Sequence, residues 1–452
     1  MPSAFSRRRF LSATVAAGLL SGRTAANDSS CIGQSEPDGV VWRRTYGADE
    51  SLKVTDAVAH GDGYALVGID RDAEAGDRSW LRLVDGDGRE QWHREYGDDE
   101  RRSVTSVSVT ADGGLLLAGT VGKRRSAQFV AKTEADGGEK WTTTVDVSGR
   151  GPFAVERGDG SVVLGVTTAF PEPKYPHLTV LDEGGGISRS RTFDGREGRR
   201  VRVGVADDDG VVLAGTSDSD EAEGWLWRVA VDGEVELDRS EAFERRIVAA
   251  DRSEDGGLVL GGTNSPWLAR LSREWEVEWE RTEFDGDVHI EDVSSVPGGV
   301  AACGFEWGGG CARLPWAFRA DGDRAAWNAS MSESPRSRWT VALPANEGDR
   351  VAVAGTDYEG ESSDATLSLV EEPEPSGEET TGTTTADGTT TEGGTTEDSD
   401  RTTATAADSV TDGTATPDDG TTPDESTADG LDGFGLGAGV AALTAALGYR
   451  VR

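Results

Sequence analysis

The sequence has few of the residue types that most often build metal centres and nucleophilic sites. Its 452 residues include three cysteines and four histidines, and the histidines show no spacing typical of metal ligands. It also lacks a Gly-x-Ser-x-Gly elbow, a His-Glu-x-x-His segment and a phosphate-binding loop. The sequence therefore predicts no metal site, no cofactor and no contiguous catalytic motif.

Positive charge is scarce as well. The chain has 45 Lys and Arg against 83 Asp and Glu, a formal net charge of -38. Repulsion from phosphate groups excludes nucleic acid as a partner. Such an acid excess keeps a protein hydrated where salt screens its self-repulsion. Because the acids are spread over the whole chain, we interpret them as halophilic adaptation of an archaeal protein rather than as a site for one cationic ligand.

Glycine, in contrast, is abundant and marks a pattern that occurs seven times. An Asp-Gly type turn precedes an apolar strand that ends in Ala-Gly-Thr or a variant, most clearly at 111–120. Asp-Gly between apolar runs favours a tight hairpin, and the flanking Val, Leu and Thr favour strands. The central glycines of the copies are Gly68, Gly119, Gly165, Gly215, Gly262, Gly304 and Gly355. Their spacing of about 42 to 51 residues is typical of a propeller blade.

Each unit has room for four strands, and the last unit is incomplete. In the second unit we expect strands at 103–110, 115–120, 127–133 and 140–145. The seventh unit ends after its third strand, 365–370, and the missing strand occurs at 40–46. An N-terminal strand that completes the last blade leaves no unpaired edge. The sequence therefore predicts an all-β, seven-bladed β-propeller at 38–371, closed by its N-terminal strand, and we expect a monomer.

A tryptophan opens the fourth strand of several units, namely Trp92, Trp141, Trp279 and Trp327. We expect these side chains to wedge between neighbouring blades, where a large ring buries much apolar area. Alignment puts Arg189 and Leu237 at this position in the third and fourth copies. Blade packing is therefore expected to be weakest there.

The turn and tryptophan of segment 83–92, LVDGDGREQW, resemble the repeats of the quinoprotein-like (PQQ-like) β-propeller superfamily. The resemblance extends over about residues 40–370 and implies the blade architecture. Quinone-dependent dehydrogenases of this group typically have eight blades, and many carry an adjacent cysteine pair. This chain has neither feature, so we expect no bound quinone. A ring of carboxylates at the channel can still hold a divalent cation loosely.

The first 26 residues are typical of an export signal. Arg7 and Arg8, followed by Phe10, Leu11 and an apolar run, resemble a twin-arginine signal. We expect cleavage after residue 26. Lipidation of Cys31 is an alternative, although the residues before it do not resemble a lipobox.

The C-terminal part changes composition abruptly. Residues 372–430 are rich in Thr, Asp, Glu and Gly and have little to bury, which predicts a disordered, glycosylated stalk. Residues 431–452 form an apolar run with terminal arginines and predict a membrane segment. Gly433, Phe434 and Gly435 resemble the PGF-type sorting signal of haloarchaeal surface proteins, in which the tail is exchanged for lipid. Both outcomes tether the propeller outside the cell.

Three further features are a cysteine pair, a glycosylation motif and two long loops. Cys303 and Cys311 form a disulfide if they face each other across a hairpin, and are otherwise two buried thiols. Asn328 begins an Asn-Ala-Ser glycosylation motif. Two loops exceed what a hairpin requires, and they offer aromatic side chains that can stack on a sugar or peptide: Tyr175 and His177 in unit three, Phe305 and Trp307 in unit six.

These features favour a cell-surface, non-enzymatic propeller that binds or scaffolds a protein or glycan. The alternative is an extracytoplasmic oxidoreductase or hydrolase whose site is built from loops at the channel, where no contiguous motif is expected. Buried carboxylates that converge with Arg or Trp in a deep pocket would favour the enzyme. A shallow mouth lined by solvated residues would favour binding.

Overall fold

The structure, a computed structural model, describes residues 39–373 apart from short segments between strands. The segments outside the described residues are 48–50, 71–77, 97–101, 123–126, 169–173, 208–209, 219–222, 231, 240–242, 264–265, 285, 309–311, 323, 331–336, 346–347 and 360–361. The described residues form seven antiparallel sheets of four strands. In this part of the chain no helix is long and apolar enough to cross a membrane. The expected signal peptide, stalk and C-terminal segment lie outside it.

The strands follow one another along the chain with short connections. They are β1 (Val40–Tyr46), β2 (Leu52–His60), β3 (Gly63–Asp70), β4 (Arg78–Asp85), β5 (Glu90–Tyr96), β6 (Arg102–Val109), β7 (Leu115–Val121), β8 (Ala127–Thr133), β9 (Glu139–Val145), β10 (Gly149–Glu156), β11 (Val162–Thr168), β12 (Pro176–Leu181), β13 (Ile187–Thr192), β14 (Arg199–Asp207), β15 (Gly210–Ser217), β16 (Gly224–Ala230), β17 (Val235–Asp238), β18 (Ala249–Arg252), β19 (Leu258–Gly262), β20 (Trp267–Leu271), β21 (Val277–Arg281), β22 (Val288–Val296), β23 (Gly299–Gly308), β24 (Ala312–Asp321), β25 (Arg324–Ser330), β26 (Ser337–Pro344), β27 (Val351–Glu359) and β28 (Ser362–Val370).

The sheets form a closed ring of seven blades. Blades 1 to 6 each use four consecutive strands, beginning with β2 to β5. Blade 7 consists of β26, β27, β28 and β1, with Arg44 opposite Leu367 and Tyr46 opposite Ala365. The first strands of neighbouring blades contact each other all round the ring, β26 with β2 included, so they surround a central channel. The predicted seven-bladed propeller closed by its N-terminal strand is confirmed.

The hydrophobic core is divided among the seven spaces between neighbouring blades. Between blades 1 and 2, for example, Val67 and Leu81 belong to the same buried cluster as Val104 and Leu117. Successive residues of a strand point to opposite faces, and each face meets a neighbouring blade. Both faces are therefore buried, which explains why every residue of β7, LLLAGTV, is buried.

The hairpin turns require glycine for its conformational freedom. Gly113 and Gly137 both have φ near +79°, a region that residues with a side chain rarely adopt. In the second turn the Asp136 carboxylate accepts a hydrogen bond from the main-chain N of Gly138 at 2.8 Å. Blade 1 differs from the sequence expectation, because Gly61 has the positive φ and Gly63 already belongs to β3.

The fourth-strand tryptophans contact the next blade, as expected. A Cβ added to Gly137 would lie 2.6 Å from the Trp92 ring, and one added to Gly185 would lie 2.6 Å from the Trp141 ring. The Tyr96 hydroxyl donates to the carbonyl of Gly137 at 2.7 Å. The Trp92 and Trp141 indoles therefore lie against the glycine turn of the following blade.

At the interface between blades 3 and 4, arginine side chains take the place of tryptophan in the contact with the turn of the next blade. Arg191 donates to the Gly233 carbonyl at 2.6 Å, and Arg189 donates to the Asp232 carbonyl. Phe193 lies 5.7 Å from Trp227 between ring centroids. Other aromatic side chains thus pack at the interface where the sequence led us to expect the weakest contact.

Candidate functional site

The channel wall is built from β-bulges in the inner strands. Register shifts place one extra residue between Val54 and Asp56, and the equivalent extra residues are Thr105, Arg202, Glu291 and Thr340. A bulge reverses the alternation of side chains and re-aims the residue that is left unpaired. The channel that the inner strands surround has a volume of about 460 Å³, and the exposed side chain of Arg202 belongs to its wall.

Three aspartates line this channel and connect neighbouring blades. Asp56 Oδ2 accepts a hydrogen bond from the main-chain N of Val107 at 2.8 Å. Asp251 Oδ2 accepts from Ser295 N at 2.8 Å, and Asp292 Oδ2 accepts from Ala342 N at 3.0 Å. Each donor belongs to the inner strand of the following blade. We call Asp56, Asp251 and Asp292 the channel aspartates.

The surroundings of the channel aspartates favour their protonated forms. Burial raises the pKa of Asp56 to about 6, although main-chain hydrogen bonds act in the opposite direction. Burial also raises the pKa of Asp251. The pKa of Asp292 is raised well above its ordinary value, first by burial and then by the negative charges of Asp56 and Asp251. Side chains more than 230 residues apart in the chain thus share one electrostatic environment.

The channel aspartates and Arg202 meet part of the criterion for an enzyme, because carboxylates of raised pKa and a guanidinium line the same channel. A protonated carboxyl near neutral pH can act as a general acid. The same carboxylates, however, already accept main-chain hydrogen bonds between blades, which gives them a structural role. Neither group was singled out in the sequence, although an aspartate at the fifth position of both β2 and β22 was a visible signal.

The loop residues of unit three are less accessible than expected. His177 is 8% exposed and lies within 3.2 Å of three hydroxyl groups, those of Thr192, Thr179 and Ser190. Its burial lowers the pKa of the ring. Tyr175 is half-buried, and its main-chain N donates to Thr168 Oγ1 at 2.9 Å. His177 therefore joins two strands and does not form part of an open loop.

The aromatic residues of unit six form a layered group at the end of the inner hairpin. Phe305 is buried and stacks on His289 with 4.5 Å between ring centroids. Trp307 packs edge-on against Phe305 at 5.5 Å and is 49% exposed. One of the His289 ring nitrogens lies 2.7 Å from Thr263 Oγ1. Of the four candidate loop residues, Trp307 alone presents much of its ring to solvent.

The remaining predicted site residues are only partly described. Cys303 is buried, burial raises the pKa of its thiol, and the residue opposite it on β24 is Ala317. Its pairing with Cys311 stays a prediction, because Cys311 lies outside the described residues. Asn328 is exposed on β25. The other predicted residues lie outside the described part of the chain: Arg7, Arg8, Phe10, Leu11, Cys311, Gly433, Phe434 and Gly435. Within the described part, no three side chains of His, Cys, Asp or Glu are grouped to hold a metal ion.

Comparisons with known proteins concern the fold. No protein-family profile and no curated protein matches the chain. A streptogramin B lyase structure superposes with a TM-score of 0.50 at 12% identity, covering 73% of this chain and 97% of the lyase. Chaetomium thermophilum Raptor superposes with a TM-score of 0.50 at 10% identity, covering 75% of this chain and 30% of Raptor. At such identities the similarity shows that the chain shares the β-propeller fold with these proteins.

Proposed function

We propose that the protein is a non-enzymatic binding or scaffolding module, displayed at the cell surface by its C-terminal segment. The rim of blade 6 carries its binding surface for a protein or glycan. Trp307 is the observation on which this proposal rests. An exposed indole supplies a large, rigid contact area for a sugar ring or an apolar side chain.

The support beneath Trp307 makes its ring a suitable anchor. Phe305 and His289 hold the indole from below through the edge-on and stacked contacts. These contacts restrict the indole before any ligand arrives, which reduces the rotamer entropy that binding must remove. Central aromatic anchors of this kind carry much of the free energy in protein interfaces.

The test is a glycan-array and pull-down screen of the purified chain in high salt, repeated with Trp307→Ala. We expect the variant to bind the captured ligand at least about tenfold more weakly, which is the typical effect of removing an anchor. Ile187→Ala is the matched control, because Ile187 is 50% exposed and lies in blade 3. Equal binding by wild type and Trp307→Ala would contradict the assignment of this surface.

A second candidate is an extracytoplasmic hydrolase or oxidoreductase that uses the channel. The raised pKa values of the channel aspartates, in a channel that Arg202 also lines, favour it. A screen of hydrolytic and redox substrates, with Asp292→Asn as the inactive control, tests it. Tight binding of pyrroloquinoline quinone with calcium would contradict the expectation that the chain holds no quinone.

A further inference from the structure

A pocket lies at the seam where the ring closes between blades 7 and 1. Its volume is about 500 Å³, within the size range of small-molecule sites. Blade 7 supplies Val41, Trp42 and Leu369 to its wall, and blade 1 supplies Tyr64. Tyr64 and Leu369 belong to one buried cluster, against which Trp42 packs. We call this site the seam pocket, and a ligand in it would contact both blades that close the ring.

Tyr64 brings a hydroxyl to a position that is apolar in five other blades. It lies four places before Gly68, the central glycine of its blade, and is 1% exposed. At the same distance from their central glycines, those five blades have a buried Leu or Val, namely Leu115, Val211, Leu258, Val300 and Val351. Packing of the core between blades therefore does not require a hydroxyl at this position.

The Tyr64 hydroxyl has no hydrogen-bond partner among the described residues. Two other buried tyrosines differ in this respect. Tyr46 donates to the Gly88 carbonyl at 2.7 Å, and Tyr96 donates to the Gly137 carbonyl at 2.7 Å. Burial raises the pKa of Tyr64 to about 12, so its hydroxyl keeps the proton and can donate. A buried hydroxyl without a partner is costly to the fold, and a ligand in the seam pocket would supply its hydrogen bond.

Charged groups in the wall of the seam pocket offer further hydrogen-bonding positions. Asp85 Oδ1 accepts from the main-chain N of Asp87 at 3.0 Å and from that of Arg89 at 2.7 Å, whereas its Oδ2 has no partner among the described residues. Arg350 uses its Nε to pair with Glu371 at 2.9 Å. Its two terminal nitrogens have no partner in the described part of the chain. The wall therefore has an acceptor and donors in addition to the tyrosine hydroxyl.

We infer that the seam pocket binds a neutral sugar, either free or at the end of a glycan. A sugar has an apolar C–H face, which suits the wall formed by Trp42 and Leu369. Its hydroxyl groups both donate and accept, which suits Tyr64, Asp85 and Arg350. A charged ligand would meet a like charge, that of Asp85 for an anion and that of Arg350 for a cation.

This inference goes beyond the Trp307 surface and does not depend on it. Trp307 lies at the turn between the second and third strands of blade 6. The seam pocket lies at turns of the opposite end, since Asp87 follows the third strand of blade 1 and Arg350 precedes the second strand of blade 7. The two sites can therefore be tested separately.

The test is calorimetric titration of the full chain with glucose, galactose, mannose and N-acetylglucosamine, and with tri- and tetrasaccharides of the same sugars in a separate arm. Tyr64→Phe removes only the hydroxyl and should weaken binding by about five- to tenfold, the loss of one hydrogen bond. Tyr96→Phe is the control, since its buried hydroxyl is hydrogen-bonded outside the pocket. Tyr96→Phe should lower the unfolding temperature and keep the affinity, whereas Tyr64→Phe should keep the unfolding temperature.

A second variant blocks the seam pocket without touching the core. Val41 is 40% exposed, so Val41→Trp places an indole in the pocket from the surface and should abolish binding. Val277→Trp is the matched control, because Val277 is 53% exposed on the outer strand of blade 5. A sugar that bridges blades 7 and 1 should also raise the unfolding temperature of the wild type, and Val41→Trp should lack this rise.

The outcomes separate this site from the blade 6 surface. Binding of a free sugar that is weakened in Tyr64→Phe and lost in Val41→Trp supports the inference. Binding of the oligosaccharides alone, with the same dependence, assigns the ligand to the end of a glycan. Binding that is lost in Trp307→Ala and kept in Val41→Trp overturns the inference and supports the proposed function. No binding in any arm overturns it as well, and so does an equal loss of affinity in Tyr64→Phe and Tyr96→Phe.

Discussion

Asp292 illustrates how single residues in this ring serve two purposes. Its carboxylate accepts a main-chain hydrogen bond from blade 7, and it lies in the same field as Asp56 and Asp251. The hydrogen bond stabilises the ionised form, while burial and the neighbouring charges oppose it. The same side chain thus joins two blades and makes their association sensitive to pH.

For Asp56, the direction of this pH dependence of stability can be measured. Its pKa is about 6 in the folded protein and 3.8 in its ordinary state, so the folded chain binds the proton more tightly. The contribution of Asp56 to stability is therefore fully present below pH 4 and is lost as the pH rises through about 6. We expect the free energy of unfolding to fall by about 2 kcal/mol from this group between pH 4 and pH 7.

Chemical denaturation of wild type and Asp56→Asn at both pH values measures this contribution as a difference between the two proteins. Asp87→Asn, which removes an exposed carboxylate of the same charge, is the control. If all three proteins lose the same free energy between pH 4 and pH 7, Asp56 does not titrate as described.

At the scale of elements, the contact between one blade's outer strand and the next blade's turn holds the ring together. Trp92 lies against Gly137, and Trp42 lies against Gly88 in the same way across the closure between blades 7 and 1. The turn glycines meet two requirements at once, a positive φ and space for an indole. The two requirements can be separated by mutation.

Gly137→Ala and Gly113→Ala form a matched pair for this purpose. Both glycines have φ near +79°, but an added Cβ meets the Trp92 ring at 2.6 Å in the first and nothing within 4 Å in the second. Gly113→Ala should cost about 1 to 2 kcal/mol from backbone strain alone. Gly137→Ala should cost about 1 to 3 kcal/mol more, because the indole must move.

Equilibrium unfolding of the two variants supplies the comparison. A double-mutant cycle with Trp92→Ala should remove the additional cost of Gly137→Ala. Equal losses for the two alanine variants would mean that the indole does not contribute to the contact.

At the scale of the whole molecule, ring closure by β1 ties the start of the propeller to its end. Val40 lies opposite Val370, so both ends of the domain leave the ring at blade 7. The chain therefore enters and leaves the propeller at one blade.

Export through a twin-arginine pathway is the whole-molecule prediction. Lys in place of both Arg7 and Arg8 should leave most of the protein inside the cell, because the pair is the part of the signal that the pathway recognises. Cell fractionation with immunodetection measures the distribution, and a chain truncated before Leu431 serves as the comparison for surface retention. Normal display of the lysine variant would refute the export assignment.

Much of the fold could be predicted because its determinants are local. The turn glycines, the apolar strands and the split seventh unit are all visible within single repeats, and β1 has the predicted bounds, Val40–Tyr46. The candidate sites were harder to predict. His177 was expected in a loop but lies buried against three hydroxyl groups, since its exposure depends on a neighbouring strand.

By itself, then, the sequence determined the blade, the number of blades and the closure of the ring, because repeat period and turn chemistry act over a few residues. Only the tertiary structure decided which side chains share the channel. In five of the seven inner strands a one-residue bulge re-aims a side chain, and closure brings Asp56 of blade 1 into the field of Asp292 of blade 6. Interactions between such distant residues depend on strand register and on the rotation of the blades about the ring, and neither is encoded in any single repeat.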